Sequence, residues 1–289
     1  MMKTKYQILI AALAAYAEGH AAEVMPGDYE QYPANATIGL LYYQNMATND
    51  LYANGTKIGS DYKVIGNLGV ARLLHVYQLN DQSTVAPQFL LPFGQLRSKE
   101  SAANFGKASG VGDLTLALPL KFSLNDSKDT LSSAVYLTIP TGSYNKNNAL
   151  NIGANRWKYD FQGAYIKHFT PKFALDITGD IVLYGNNNEY GTNSYKLKTN
   201  NSYEFQVMGR YMPSPITSFG IGLGYIWGAE NTVNGLPQND DIKTTNIRLY
   251  ASHFFGAKDQ LQVQVGRDLS VSNGLKEDFH STLRYAHIF

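Results

Sequence analysis

Strict alternation of apolar and polar or small side chains between positions 111 and 124 most constrains the fold. One face of this segment carries Leu114, Leu116, Leu118, Leu120 and Phe122, and the other carries Asp113, Thr115, Ala117, Pro119 and Lys121. Successive side chains point to opposite sides of a strand, whereas a helix brings together residues three and four apart. The segment is therefore predicted as a β-strand with one apolar face, and the polar residues 125–129 predict a turn after it.

The same pattern recurs along most of the chain and predicts twelve strands. Clear apolar faces begin at Leu131, Trp157, Phe173, Tyr203, Phe219, Ile247 and Leu261, and the last one carries Leu283, Tyr285, His287 and Phe289. The amino-terminal third is less regular, with strands predicted at 36–44, 62–77 and 85–96. In the second of these, Arg72 shares a face with Val70 and Leu74, so we expect a bulge there and leave its faces unassigned.

The spacing of the turns predicts a closed antiparallel barrel. Short polar connections near 80, 127, 171, 215 and 258 recur about every 44 residues, the length of two long strands and a loop. Longer polar connections are predicted at 46–60, 98–110, 144–155, 186–198, 229–241 and 271–277. Short turns at one end, longer loops at the other and an even strand number are typical of an outer-membrane barrel of about twelve strands. The alternative, a soluble β-sandwich, would have shorter strands.

The amino terminus has the pattern of an export signal. Lys3 and Lys5 precede a short apolar run, and small residues follow it, so residues 1–21 are predicted as a signal peptide. Residues 22–35 are predicted as a periplasmic lead, on the strength of Pro26-Gly27 and Pro33. The sequence leaves open whether this lead is mobile or folds into the lumen as a plug. Residues 36–289 are predicted as the barrel.

Composition supports a bacterial outer-membrane location. The chain has 21 Tyr, 13 Phe and 2 Trp, no cysteine, and 24 basic against 23 acidic residues. Balanced charge gives no indication of nucleic-acid binding. Aromatic residues fall near both ends of the strands, as in interfacial girdles, with Trp157 and Trp227 near the long loops. Tyr285 and the terminal Phe289 are predicted as the assembly signal, so the expected partners are membrane lipid, lipopolysaccharide and the barrel assembly machinery.

The inward face defines the candidate functional residues. Lumen or selectivity candidates are Asp113, Lys121, Arg156, Lys158, Asp160, Asp176, Asp180, Glu204, Arg210, Arg248 and Arg284, with Asp268 on the same face. Two interpretations stay open: the charges pair across strands and hold the lumen together, or some line a solute path. Strand nine presents Gly220, Gly222, Gly224 and Gly228 inward, a glycine wall with room for a solute, a folded-in loop or a large side chain such as Tyr184, Arg210 or Tyr250.

Three motifs carry a resemblance to a known family. They are Pro92-Phe93-Gly94, Ser109-Gly110-Val111-Gly112-Asp113 and Ile139-Pro140-Thr141-Gly142-Ser143-Tyr144, joined by Asn151-Ile152-Gly153-Ala154-Asn155 and Gly235. In order and spacing the chain resembles, over roughly residues 36–289, the outer-membrane transporter family linked to meta-pathway degradation of phenol. The resemblance implies a barrel that passes aromatic or other small apolar compounds across the outer membrane.

We therefore expect a channel or transporter for small, aromatic or other apolar solutes, working by passive diffusion and without a cofactor or metal. One alternative is a structural or adhesive barrel, although its loops are short. Another is an outer-membrane lipid hydrolase. The close Ser/His neighbours are His280-Ser281 and Ser252-His253. Adjacent residues on a strand point to opposite faces, so neither pair can act together as nucleophile and base, and no enzyme is expected.

Overall fold

The computed structural model describes residues 24–289, and the predicted signal peptide lies outside the described residues. Twelve long strands form the barrel: β1 (Thr37–Ala53), β2 (Tyr62–His75), β3 (Gln88–Glu100), β4 (Leu114–Ser123), β5 (Thr130–Ile139), β6 (Lys158–Thr170), β7 (Phe173–Tyr184), β8 (Ser202–Ser214), β9 (Thr217–Gly228), β10 (Ile242–Phe255), β11 (Asp259–Val271) and β12 (Gly274–Ile288). Each strand pairs antiparallel with the next, and the prediction of a twelve-stranded antiparallel barrel is confirmed.

The first and last strands close the barrel. β1 pairs with β12 from Ile38 opposite Ile288 to Tyr52 opposite Gly274, with irregularities near Thr48. The amide of Phe289 adds one bond to the carbonyl of Thr37, at 3.0 Å. A closed sheet has no free edge, so the backbone groups of the strands are satisfied by their neighbours, which a lipid environment requires.

The alternation read from the sequence separates a lipid-facing wall from a polar lumen. On β4, Leu116, Leu118 and Phe122 are exposed on the outside, whereas Lys121 on the inside is 2% exposed. The outer face is apolar because lipid is its solvent. The inner face is polar and carries charged side chains such as Lys121, as the lumen side of an outer-membrane barrel commonly does.

The bulge predicted in the second strand is wrong. β2 pairs with β1 and with β3 in continuous register, without a shift. Arg72, Val70 and Leu74 all point inward, and Leu74 packs in an apolar cluster with Met25 and Ala36 from the segment before β1. The two faces of β2 looked alike because its inward face packs partly on apolar side chains of that segment.

The connections follow the predicted plan at one end of the barrel. Residues 124–129, 171–172, 215–216 and 256–258 form short turns, and residues 76–87 carry a small hairpin of Tyr77–Asn80 with Ser83–Val85. The carboxy-terminal end of β12 lies at this end, the periplasmic one in the predicted topology.

At the other end, two predicted loops differ from the structure. Most of the predicted loop at 46–60 is strand, since β1 continues to Ala53 and pairs with Thr56–Gly59. The predicted loop at 271–277 is a tight turn at Ser272 and Asn273. Within the membrane span, a run of polar residues indicates a turn. A strand that continues beyond the membrane into water can be polar on both faces, so the same pattern does not indicate a loop there.

The remaining long loops carry short elements of their own. Residues 101–113 contain a 3-10 turn (Ala103–Phe105) and a strand (Lys107–Val111) that pairs with β3. Asn187–Tyr190, Tyr195–Thr199, Asn231–Val233 and Leu236–Pro237 form a separate four-stranded sheet from two neighbouring loops. Within residues 24–289, no helix is long and apolar enough to cross a membrane.

Candidate functional site

The lumen is occupied by residues 24–36, here called the lumen segment. The Gly27 amide donates to the Asp176 carboxylate on β7 at 2.8 Å. The Lys121 ammonium group on β4 donates to the carbonyl oxygens of Asp28 and Glu30, each at 2.7 Å. The sequence left open whether the predicted lead is mobile or folds inward, and these contacts with β4 and β7 place its described part inside the barrel.

Two acidic residues of the lumen segment meet arginines from the wall. Asp28 accepts a hydrogen bond from Arg284 on β12 and lies 3.9 Å from Arg72 on β2. Glu30 lies 2.5 Å from Arg210 on β8. Asp28 and its two arginines are at most 10% exposed, whereas the Glu30 side chain is 27% exposed beside a buried Arg210. Charges in such surroundings are stable only when paired and hydrogen-bonded, so the pairs fix where the segment lies.

The pKa values of Asp28 and Glu30 both lie below the ordinary values for these side chains. Burial acts to raise the pKa of Asp28, but Arg284, Arg72 and hydrogen bonds outweigh it and hold that pKa below its ordinary value. Burial likewise opposes the charge of Glu30, whereas His168 and Arg210 lower its pKa. Both residues lie outside the membrane-spanning strands, and both are held as carboxylates by the wall.

Apolar contacts also hold the lumen segment in place. Val24 and Tyr29 pack with Leu90, Tyr136 and Ile166 in one cluster that spans several strands. The Tyr29 hydroxyl donates to the Gln162 side chain on β6. The Lys121 ammonium group lies 3.7 Å from the centroid of the Tyr32 ring, a cation–π contact.

A vestibule of about 1070 Å³ lies between the lumen segment and the periplasmic end. Its wall is largely apolar and includes Tyr32, Ile38, Leu40, Met212, Ile216 and Phe254. The charged side chains at its inner end, Arg210 and Arg284, are those that hold the segment. Charged side chains from the short turns, Asp126, Lys128, Lys172 and Lys258, also line this cavity.

Several predicted lumen candidates are thus partners of the lumen segment. Lys121, Asp176, Arg210 and Arg284 all contact it, and Asp176 also accepts from Arg210 at 2.8 Å. Asp176 and Arg210 thus pair across neighbouring strands, as in the first interpretation, whereas Lys121 and Arg284 contact the lumen segment.

Asp113 connects the motifs that carried the family resemblance. Its two carboxylate oxygens accept from the amides of Gly142 and Ala154, each at 2.7 Å. A side chain at Gly142 would meet the backbone of Gly112, and one at Gly153 would meet Gly142. The glycines are therefore required for close backbone packing, and Asp113 fixes the loop of residues 140–157 to the start of β4.

The other charged candidates lie nearer the loop end. The Arg156 guanidinium donates to Thr199 at 2.5 Å and lies 4.5 Å from the centroid of the Tyr184 ring. Lys158 lies 6.0 Å from the same ring. Arg248 donates to Glu277 at 3.2 Å, Glu277 contacts His280 at 2.9 Å, and the Glu277 amide donates to Asp268. Asp160, Asp180 and Glu204 lie on the inner faces of β6, β7 and β8.

The glycine wall of β9 is filled by neighbouring side chains. A Cβ on Gly220 would collide with the Tyr250 ring, one on Gly222 with Met208, and one on Gly224 with Asn246. Of the three occupants considered from the sequence, a large side chain is the one found at Gly220. Gly228 has φ of 95° and lies against the Asn201 carbonyl, so it serves the backbone at the loop end.

Sequence reasoning missed the residues of the predicted lead that contact the barrel wall. Asp28, Tyr29 and Glu30 make the contacts that fill the lumen, and Arg72 and Glu277 were not among the candidates. A signal was present, because a short segment with two acids and two tyrosines precedes a barrel whose inward face carries several arginines. Without the strand register, the two acids of this segment could not be assigned to particular arginines.

The aromatic residues occupy both ends of the lipid-facing wall. Phe173 and Tyr211 pack with centroids 5.1 Å apart near the short turns, and Tyr203 stacks on Trp227 at 5.3 Å near the loops. Tyr285 donates to Asp259 at 2.6 Å, and Phe289 is 70% exposed.

The Ser/His neighbours point to opposite sides of the wall. His280 is buried in the lumen with Glu277 and Thr282, whereas Ser281 lies in the outward series with Leu283. Ser252 is buried inside, and the outward His253 contacts Thr217 at 2.8 Å. Among residues 24–289, no group of three His, Cys, Asp or Glu side chains could hold a metal ion.

Comparison with known proteins assigns the fold and the family. An outer-membrane channel from Pseudomonas putida F1 is 54% identical, with a TM-score of 0.92 over 92% of this chain and 100% of that chain. The β domain of the Bordetella autotransporter BrkA (8% identity, TM-score 0.57, 89% and 100% covered) shares the fold alone. So does the Ralstonia pickettii toluene transporter TbuX (9% identity, TM-score 0.50, 89% and 90% covered). A search of curated proteins found no match.

The barrel, its lipid-facing wall and this similarity define an outer-membrane β-barrel protein. Residues 48–285 match the model of the family described as "Putative MetA-pathway of phenol degradation". The chain belongs to that family, as the motifs around Asp113 indicated.

Proposed function

We propose that this barrel is a selective channel for small, aromatic or other apolar solutes, which cross by passive diffusion. One observation carries the proposal: the lumen segment narrows the lumen and leaves a vestibule of about 1070 Å³ with a largely apolar wall. A wide aqueous pore would have no such obstruction. The family description refers to phenol degradation, and the relative from Pseudomonas putida is described as an outer-membrane channel.

The same proposal extends to the partners. Membrane lipid and lipopolysaccharide surround the outer wall and its loops, and the assembly machinery reads Tyr285 and Phe289 on the last strand. No catalytic role is proposed, because each Ser/His pair is divided between the two faces of the wall.

Uptake into proteoliposomes tests the proposed function. The refolded barrel is compared with empty liposomes for benzoate, which carries a charge that slows its passage through lipid, and for arabinose, which is of similar size and polar throughout. We expect faster entry of benzoate than of arabinose. Equal entry of both solutes would indicate a non-selective pore, and no entry of either would refute the channel.

A reversible crosslink tests the part played by the lumen segment. The native chain has no cysteine, so Gln31→Cys and Thr84→Cys can be joined by a short reducible crosslinker. Their wild-type side chains are 2.8 Å apart. We expect benzoate entry to fall when the segment is tied to the wall and to recover on reduction. Each single cysteine variant, treated identically, is the control.

A further inference from the structure

Two inward carboxyl groups on neighbouring strands of the lumen, those of Asp160 and Asp180, each have one buried oxygen without a hydrogen-bond partner. Asp160 on β6 is 6% exposed, and one of its carboxylate oxygens is buried without a hydrogen-bond partner. One carboxylate oxygen of Asp180 on β7 is in the same condition. Buried carboxyl groups in proteins are paired, bind a cation or become protonated, so this arrangement requires an explanation.

The strand register brings the two carboxylates together. Asp180 lies opposite Gln162, which is two residues from Asp160 on the same face of β6. The pair are diagonal neighbours on the inner wall, a separation of about 7–8 Å between such positions. The Gln162 amide donates to Asp180 at 3.1 Å, which satisfies one oxygen of one acid.

A third acid adds to the negative charge at this level. Glu204 on β8 lies directly opposite Asp180 in the register. Like charges in directly opposite positions destabilise a sheet. As charged groups, Asp180 and Asp160 repel each other, and this repulsion adds to the cost of burying each carboxylate.

The basic residues of this wall lie further toward the loops. Lys158 is the first residue of β6 and Arg156 precedes the strand, with Arg156 against Tyr184 and Thr199. Along the barrel axis, the two acids thus lie between these basic residues near the loops and the lumen segment, whose Tyr29 contacts Gln162. A mobile charge that passes this level meets negative groups on three adjacent strands.

We infer that Asp160 and Asp180 form a site for a single positive charge, either an alkali ion or the ammonium group of a small solute. The two unpartnered oxygens supply the negative ligands, and water completes the shell. The site gives the lumen a preference for cations at this level. The site lies on a different part of the wall from the vestibule, and a bound cation lowers the repulsion that an anion such as benzoate meets at this level.

Rubidium in crystals of the full mature chain tests the site directly. At slightly alkaline pH, we expect an anomalous peak between the two carboxylates in rubidium chloride. The peak should be absent in Asp160→Asn/Asp180→Asn and present in Asp241→Asn, an exposed acid that pairs with Lys243. A wild-type crystal without the peak would refute the inference.

A methylammonium soak identifies the source of the charge. Displacement of rubidium by methylammonium extends the site to ammonium groups of solutes, and retention of rubidium restricts it to alkali ions. Both results require the rubidium peak and so support the site.

Ion selectivity provides a second measurement. In planar bilayers with a potassium chloride gradient, we expect the reversal potential to show cation preference. The permeability ratio of potassium to chloride should fall several-fold in the double variant and stay unchanged in Asp241→Asn. An unchanged ratio in a folded, heat-modifiable double variant would contradict the inference. If the wild-type barrel carries no current, the rubidium measurement decides the question.

Discussion

Arg284, on the last strand, donates a hydrogen bond to Asp28, which lies 256 positions earlier in the chain. The contact joins the start of the described chain to its end across the lumen. Arg72 from β2 approaches the same carboxylate at 3.9 Å. The position of the lumen segment therefore depends on charges from β2 and β12, which lie on either side of β1 only in the closed barrel.

Removing the two acids of the lumen segment should release it. In Asp28→Asn/Glu30→Gln, the arginines lose their anionic partners, and loss of one partner of a buried pair costs about 3–5 kcal/mol. We expect larger single-channel conductance and faster hydrogen exchange in residues 24–36 than in the wild type. The control is Asp81→Asn, which removes an exposed acid from a turn that does not line the vestibule. Unchanged conductance and exchange would show that the apolar contacts of Val24 and Tyr29 suffice.

Acid should release the same segment in the wild-type barrel. The folded pKa values of Asp28 and Glu30 are held below their ordinary values. A carboxyl group whose pKa is lowered in the folded barrel stabilises the bound segment fully at pH values above its ordinary pKa. That contribution is lost as the pH falls through the lowered pKa of the folded barrel. The ordinary values are about 4, so conductance should rise only below about pH 4. The Asp28→Asn/Glu30→Gln variant should show no such step, and a wild-type step near neutral pH would implicate other groups.

A side chain at Gly220 should destabilise the barrel. The added Cβ of Gly220→Ala collides with the Tyr250 ring and approaches the Gly209 carbonyl. Overpacking of this kind costs about 1–3 kcal/mol. Urea unfolding in lipid vesicles measures the loss, with Gly163→Ala as the control because its Cβ meets no atom within 4 Å. Equal stability of both variants would mean that Tyr250 moves aside freely.

Asp113 should act on the loop of residues 140–157 and not on ion selectivity. In Asp113→Ala, the amides of Gly142 and Ala154 lose their acceptor, and each unsatisfied buried group costs about 1–3 kcal/mol. We expect faster proteolysis of this loop, with the reversal potential unchanged. Asp113→Asn keeps one acceptor oxygen and should be intermediate. A shifted reversal potential with normal loop protection would assign Asp113 to the solute path instead.

The terminal aromatic residue should matter for assembly more than for the finished barrel. Phe289 is largely exposed, and its backbone amide, not its ring, bonds to Thr37. In Phe289→Ala, we expect a smaller heat-modifiable fraction in bacterial outer membranes, while refolding in detergent is nearly unaffected. Tyr285→Phe removes only the hydroxyl that contacts Asp259 and serves as the control. A normal yield of Phe289→Ala would refute the assembly signal.

The barrel could be predicted from the sequence because lipid imposes one simple rule on every strand. Leu116, Leu118 and Phe122 had to share a face, and the turn spacing then set the strand number. The rule fails where a strand leaves the membrane, as for β1 beyond residue 46, and where the lumen is apolar, as for Leu74 against Met25.

The contents of the lumen were harder to predict, because they depend on the register of distant strands. Lys121, Arg210 and Arg284 were identified as inward charges, but their partners Asp28 and Glu30 lie outside the alternating pattern. The interior position of Tyr250 beside Gly220 required the pairing of β9 with β10. Side-chain type indicated that these residues face the lumen, and only the structure identified what each one contacts.

The set of ion pairs that holds the lumen segment is complete only once β1 has paired with β12. Before that, Asp28 has no Arg284 beside it, although the segment is the earliest part of the described chain. A barrel halted one strand short would keep an unseated amino-terminal arm open to proteases in the periplasm. The contact between Asp28 and Arg284 thus makes resistance of that arm to proteolysis a measure of complete barrel closure.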